Sequence, residues 1–378
     1  MIPVRDTCRF YRGHIPCKFH KLSGEVCETC GHADELRERI LIIKLGAIGD
    51  VIRTTPLLRK LKELYPHAEI TWLTYSPDIV PKDWVDTILD FSLQNIVWLE
   101  GQQFDWLINL DKDREAIALA ERLSARQKTG FKMNHFGKCI PISNKAEKQK
   151  WLTGLRDDLN KSNTRNYMEE IFSLCGYDFT GEEYILSVPK HDAALFDTSK
   201  KIVGLNTGCG SRWPTRLWPE KNWEMLARLL HDQRYKPILL GGPQEEEKNI
   251  RLSQATGALY CRTPSLNAFI GIVNSCDVIV SQVTMAMHVA IALKKHLVLL
   301  NNIFNKHEFY LYGRGDILEP SLDCLGCFKQ QYDQRCKVKN CMELISVVDV
   351  VHAVQASAGA PLVKNRKISA SCEPALYK

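Results

Sequence analysis

The chain has 378 residues, 25% of them charged, with a net charge of +6 and a pI near 8.5. That length holds two domains of ordinary size, each with its own core, and the composition is that of a folded globular protein rather than a disordered or fibrous one. The modest basic excess suits phosphate-bearing substrates or an anionic membrane surface, and with no Lys/Arg run interleaved with aromatics it argues against a nucleic-acid binder. The N-terminus, MIPVRDTCRFYRGHIPCKF, lacks the apolar core of a signal peptide, and no apolar stretch reaches membrane-spanning length. A cytoplasmic protein is expected, with at most peripheral contact at the inner face of a membrane. In such a reducing compartment the fourteen cysteines are expected to be thiols and metal ligands before disulfides.

Residues 1–38 carry Cys8, Cys17, Cys27 and Cys30 at the spacing C-x8-C-x9-C-x2-C, among many Gly, Pro, Lys and His residues. Such a segment buries too little to fold alone. A tetrahedral metal would staple it to the rest, with His14, His20 and His32 as substitute ligands; free thiols are the alternative.

The organising stretch follows, ILIIKLGAIGDVIRTTPLLRKLKEL from Ile40 to Leu64. Ile40–Ile43 has the continuous apolar character of a parallel strand buried on both faces. Gly46 and Gly49 bracket a turn, Asp50 falls where a helix N-cap belongs, and Leu57, Leu58, Leu61 and Leu64 recur at helical spacing. Pro56 either bends a helix begun at Asp50 or, with Thr55 as cap, opens one. Further strands are expected at Glu69–Thr74, Asn95–Leu99 and Trp106–Leu110, with a helix at Arg114–Leu123, so residues 39–190 form an α/β domain on a parallel sheet. Asp111 and Asp113 follow a strand end, where ligands bind or where a helix is capped. The basic stretch Lys132–Asn163 reads as a long functional loop with short helices, before a helix at Asn166–Leu174. Residues Lys190–Lys201 read as a linker.

The pattern restarts at residue 200 and runs to 355. Strands are expected at Ile202–Asn206, Pro237–Leu240, Val278–Ser281 and His296–Leu300. Helical stretches are expected at Glu220–Leu230, Glu245–Gln254, Leu266–Ser275 and His288–Leu293. Cys324, Cys327, Cys336 and Cys341 give C-x2-C-x8-C-x4-C, a compact set of four thiolates suited to structural zinc or iron, with no position left open for catalysis. An amphipathic helix is expected at Leu344–Val354 and a disordered tail at 356–378.

Four strings carry a resemblance. KLGAIGDVIRTTPLLRKL, NTGCGSRWPTRLWPEKNW, the Gly241-Gly242-Pro243-x-Glu245 segment and Thr284 to His288 are similar to motifs of glycosyltransferase family nine, the ADP-heptose transferases of bacterial surface glycans. NNIFNKHEFYLYGRG looks like the branch containing autotransporter heptosyltransferases. The chain departs from the usual family pattern before His288, where an aspartate and a glycine are missing. The resemblance implies the GT-B architecture, two Rossmann-like domains facing a cleft, and inverting transfer from an ADP-sugar to a hydroxyl of lipopolysaccharide core, another surface glycan or a protein, without a catalytic metal. It makes Asp50 the catalytic base, with Lys44 and Gly49 beside the acceptor. Thr207, Arg212, Arg216, Glu245, Thr284, Met285 and His288 would meet the nucleotide-sugar, and the branch favours iron at the second cysteine set. Two other classes compete. G-A-I-G-D lacks the G-x-G-x-x-G spacing of a nicotinamide oxidoreductase, and the second competitor is a nucleotide- or glycan-binding protein that keeps the fold without turnover.

Overall fold

The computed structural model describes residues 2–188, 199–336 and 338–358. They fall into two compact units, one made of the chain up to Trp151 plus Met168–Glu182, the other of Leu152–Tyr167 plus the chain from Glu183 onward. Most of the expected linker and all but three residues of the expected tail lie outside the described residues. Those three, 356–358, end the helix Val347–Ala358.

In the first unit the strands are β1 (Arg39–Ile43), β2 (Glu69–Thr74), β3 (Thr87–Asp90), β4 (Gln103–Asn109), β5 (Ser124–Met133) and β6 (Cys139–Pro141). They stand in the order β3-β2-β1-β4-β5-β6, parallel throughout except for the antiparallel β5–β6 pair. Ile40 to Ile43 are fully buried, as a central strand covered on both faces requires. Strand order reverses between β1 and β4, and the crevice outside their C-terminal ends is where open α/β sheets place ligands.

Pro56 resolves as the first residue of a second helix. Ile48–Thr54 and Pro56–Leu64 are separate helices joined at Thr55, with Leu57, Leu58 and Leu61 buried. Asn95–Leu99, expected as a strand, belongs to the helix Leu93–Glu100. Only Leu99 of that run is fully buried, while Val97 and Trp98 are 60% and 40% exposed, so the apolar letters lie on a surface helix. The stretch expected as a long loop holds β6 and the helices Lys145–Thr153 and Asp157–Ser162.

Glu147 secures this region. Its buried carboxylate accepts from the backbone N–H groups of Gly130 at 2.8 Å, Ser143 at 2.5 Å and Asn144 at 2.8 Å. Gly130 has φ +105°, and a Cβ there would lie 1.8 Å from the Asn109 carbonyl oxygen, so only glycine fits beside β4. A buried donor left unsatisfied costs about 1–3 kcal/mol. Glu147→Ala should therefore lower stability by about 3 kcal/mol or more, read as a fall in the urea midpoint, with Glu147→Gln losing less.

In the second unit the strands are β7 (Ile202–Asn206), β8 (Lys236–Leu240), β9 (Leu259–Tyr260), β10 (Val278–Gln282), β11 (His296–Leu300) and β12 (Gly315–Leu318). Their order, β12-β11-β10-β7-β8-β9, repeats the reversal of the first unit, here between β7 and β10, with every pair parallel. Helix Glu220–Asp232 lays Trp223, Leu226, Ala227 and Leu230 on the sheet, and Val350, Val351 and Val354 of helix Val347–Ala358 join the same core. The helix expected to open at His288 opens at Met285, capped by Thr284.

Candidate active site

In the first unit the sequence-predicted residues gather at the C-terminal ends of β1 and β4. Lys44 follows β1 and Asp111 lies just past β4, and the two form an ion pair about 6% exposed on each side. The Asp111 carboxylate also accepts from the Leu45 backbone N–H, while the Lys44 ammonium donates to the Gly46 carbonyl at 2.6 Å. Burial pushes the Asp111 carboxyl up, and the pull of Lys44 and the Leu45 N–H does not fully offset it. The pair therefore costs desolvation, and what it fixes is the path of the Gly46 turn. Asp50 sits in the first turn of helix Ile48–Thr54 rather than at its cap, which is Ala47. Its carboxylate accepts from the Ala47 N–H at 3.3 Å and pairs with Arg53 at 2.9 Å, and its side chain is 33% exposed. Gly49 is buried in the same turn.

In the second unit the residues line the ends of β7, β8 and β10. Asn206 donates to the Gly208 carbonyl at 3.0 Å, to Ser281 Oγ at 3.0 Å and to Thr284 Oγ1 at 3.2 Å, tying the β7 loop to the start of helix Met285–Ala292. Thr284 caps that helix through the Ala286 N–H, and half-buried Met285 opens it. The Glu245 carboxylate accepts from the Gly242 N–H at 3.0 Å. A Cβ on Gly208 would come within 2.2 Å of that carboxyl group, so the glycine gives Glu245 its place. Neighbouring Glu246 pairs with Arg262.

Other expected residues are more deeply committed than their sequence suggests. The Thr207 hydroxyl is fully buried and donates to Asn249 Oδ1 at 2.6 Å. Arg216, only 9% exposed, directs its guanidinium to the carbonyls of Val283, Cys209 and Trp213 and lies over the Phe304 ring. It pins the loops after β7 and β10 while keeping a buried positive charge beneath them. Arg212 is exposed and has no ion pair among the described residues, which makes it the more available cation of the two. His288 is buried with its ring against Tyr184 at 6.2 Å between centroids. Lys248, absent from the sequence reading, donates to the Thr207 carbonyl at 2.8 Å.

Residues 96–335 match the model of glycosyltransferase family 9 (heptosyltransferase). The chain belongs to that family. It is 20% identical to the lipopolysaccharide core heptosyltransferase OpsX of Haemophilus influenzae, over 68% of this chain and 76% of that protein. Among solved structures, a family 9 glycosyl transferase from Veillonella parvula is 18% identical with a TM-score of 0.65, over 85% of this chain and 97% of that one. The E. coli heptosyltransferase WaaC, solved with ADP, is 15% identical with a TM-score of 0.60 over 84% and 99%. TibC from enterotoxigenic E. coli, an iron-containing dodecamer solved with ADP-D-β-D-heptose, is 11% identical with a TM-score of 0.52 over 85% and 77%. At these identities the structures share the fold, an α/β chain with two parallel sheets as in GT-B glycosyltransferases.

Neither cysteine set of this family 9 chain is shown to hold a metal. Among the described residues no three His, Cys, Asp or Glu side chains are gathered to hold a metal. The thiols have other neighbours. Cys341 Sγ accepts from Asn302 Nδ2 at 3.2 Å, Cys336 Sγ lies 3.7 Å from Lys329 Nζ, and burial, with Cys324 and Cys341 nearby, pushes the Cys327 thiol up. None of Cys8, Cys17, Cys27, Cys30, Cys324, Cys327, Cys336 and Cys341 forms a disulfide among the described residues. Two of the three reserve histidines are likewise engaged with backbone, His14 with the Arg12 carbonyl and His20 with that of Glu25, while His32 stacks on Phe19. No helix among the described residues is long and apolar enough to cross a membrane.

Proposed function

We propose that the protein transfers a heptose or closely related sugar from an ADP-sugar to a hydroxyl of lipopolysaccharide core, another surface glycan or a protein, inverting the anomeric carbon. One observation carries the reading: in each unit the family-motif residues stand at the C-terminal ends of parallel strands where strand order reverses. The ADP and ADP-heptose complexes of WaaC and TibC support the choice of donor. Work at the cytoplasmic face of a membrane, with peripheral contact, fits such an acceptor.

In this scheme Asp50 takes the proton of the acceptor hydroxyl as its oxygen attacks C1, and the ADP leaves from the opposite face. Lys44 and Gly49 shape the turn that presents the base. Charge developing on ADP is met by backbone donors at the start of helix Met285–Ala292 and by Arg212 and Arg216, with Thr207 fixing the loop between them. Glu245 receives the ribose hydroxyls. Met285 and His288 shape the sugar side. No step passes through a metal; Cys324, Cys327, Cys336 and Cys341 would be the ligands of a structural iron or zinc.

The product's anomeric configuration tests the chemistry. With ADP-D-β-D-heptose and a core oligosaccharide acceptor, NMR should show an α-linked heptose. A β-linked product would mean retention and would remove the single-displacement role of Asp50.

A further inference from the structure

The N-terminal segment, which the transferase reading leaves without a role, closes a cavity in the first unit. Arg9 anchors the segment, donating to the Pro66 and Ala68 carbonyls at 3.5 and 3.4 Å and pairing with Asp34 at 2.8 Å. Between this segment, the end of helix Pro56–Leu64 and the loop leading into β3 lies a cavity of about 510 Å³. Small-molecule sites run roughly 300–1,000 Å³. Its wall includes Glu69 and Thr87, the first residues of β2 and β3. It therefore opens at the N-terminal ends of the strands, whereas Lys44, Asp50 and Asp111 follow the C-terminal ends, roughly 15 Å away across a five-residue strand.

Its charges are unevenly matched. Glu69 is held by Arg39 at 2.9 Å and Asp86 by Lys62 at 3.2 Å. Arg12, Lys18 and Lys82 line the cavity exposed and, among the described residues, have no carboxylate at ion-pair distance; Asp83 is the one acid there without a cation. Aromatic faces accompany them. Lys18 lies over the Phe10 ring at 4.4 Å, Trp84 carries Arg59 at 5.1 Å, and Tyr11 stands 42% exposed. Unpaired cations converging on a ring-lined hollow suit a multiply charged anion carried on a saccharide-sized body. We propose that this cavity is a second ligand site that binds a phosphate ester, such as a sugar phosphate, apart from the donor and the transfer chemistry.

Calorimetry on the full chain, with and without saturating ADP, tests this, titrating glucose 1-phosphate, inorganic phosphate and ADP itself, with sedimentation against phosphatidylglycerol vesicles as a separate arm. One glucose 1-phosphate per chain should bind, at least tenfold tighter than inorganic phosphate, and Arg12→Glu/Lys82→Glu should weaken it tenfold or more while ADP affinity is unchanged. Tyr11→Ala should erase the advantage over inorganic phosphate. Vesicle binding that is lost in the charge-reversed variant, without binding of glucose 1-phosphate, would assign the phosphate ester to a lipid headgroup. Absence of both, binding that ADP displaces, or binding indifferent to the charge reversal would overturn the site. None of these readouts depends on sugar transfer.

Discussion

Asp50→Asn should lower kcat by about 10²–10⁴-fold, the usual worth of a positioned general base, while leaving ADP affinity as it was. The substitution is close to isosteric, and the asparagine carbonyl can still accept from the Ala47 N–H that Asp50 contacts at 3.3 Å, so the turn keeps its shape. What disappears is the proton acceptor and the ion pair to Arg53. A partly exposed pair of this kind is worth about 0–1 kcal/mol, too little to unfold the chain. A loss of rate without a loss of stability or of ADP binding is thus a loss of chemistry. Unchanged turnover would remove Asp50 from the mechanism.

Asp111→Asn should act through stability and geometry together. It leaves the Lys44 ammonium buried without its carboxylate, and breaking a buried pair by removing one partner costs about 3–5 kcal/mol. The tether from Lys44 to the Gly46 carbonyl should loosen with it, so kcat falls even at temperatures where the variant is folded. A second variant separates the two effects. Lys44→Met with Asp111→Asn removes both charges and keeps an acceptor for the Leu45 N–H, so it should recover much of the stability, as neutral replacements of buried pairs do. Its turnover should stay low, because the tether from Lys44 to the Gly46 carbonyl is then gone. Recovery of both would make the pair purely structural; urea midpoints beside steady-state rates distinguish the cases.

The central strands were legible because they are buried on both faces. Ile40–Ile43 and Ile202–Asn206 are continuous apolar runs, and burial is what writes such runs. β5, SARQKTGFKM, was missed because its first half is polar and largely exposed. Asn95–Leu99 misled because apolar letters on an exposed helix have no distinguishing period over five residues. At the candidate site, Asp50 and Glu245 were visible from their motifs. The partner of Lys44, by contrast, lies 67 residues away, brought there by the pairing of β1 with β4, and Asp111 read equally well as a cap. Arg216 was visible as a cation, but that its donors go to backbone carbonyls depends on the loops after β7 and β10 meeting. Cysteine spacing likewise states only what four thiols can do, whereas Asn302 and Lys329 beside them come from distant or looped segments.

A nucleotide panel by calorimetry tests transfer from an ADP-sugar: ADP and ADP-heptose set against UDP- and GDP-sugars and NAD. Tight ADP binding, strengthened by the heptose, is the predicted result. Preference for UDP or GDP would contradict the donor assignment, and preference for NAD would contradict the transferase reading itself.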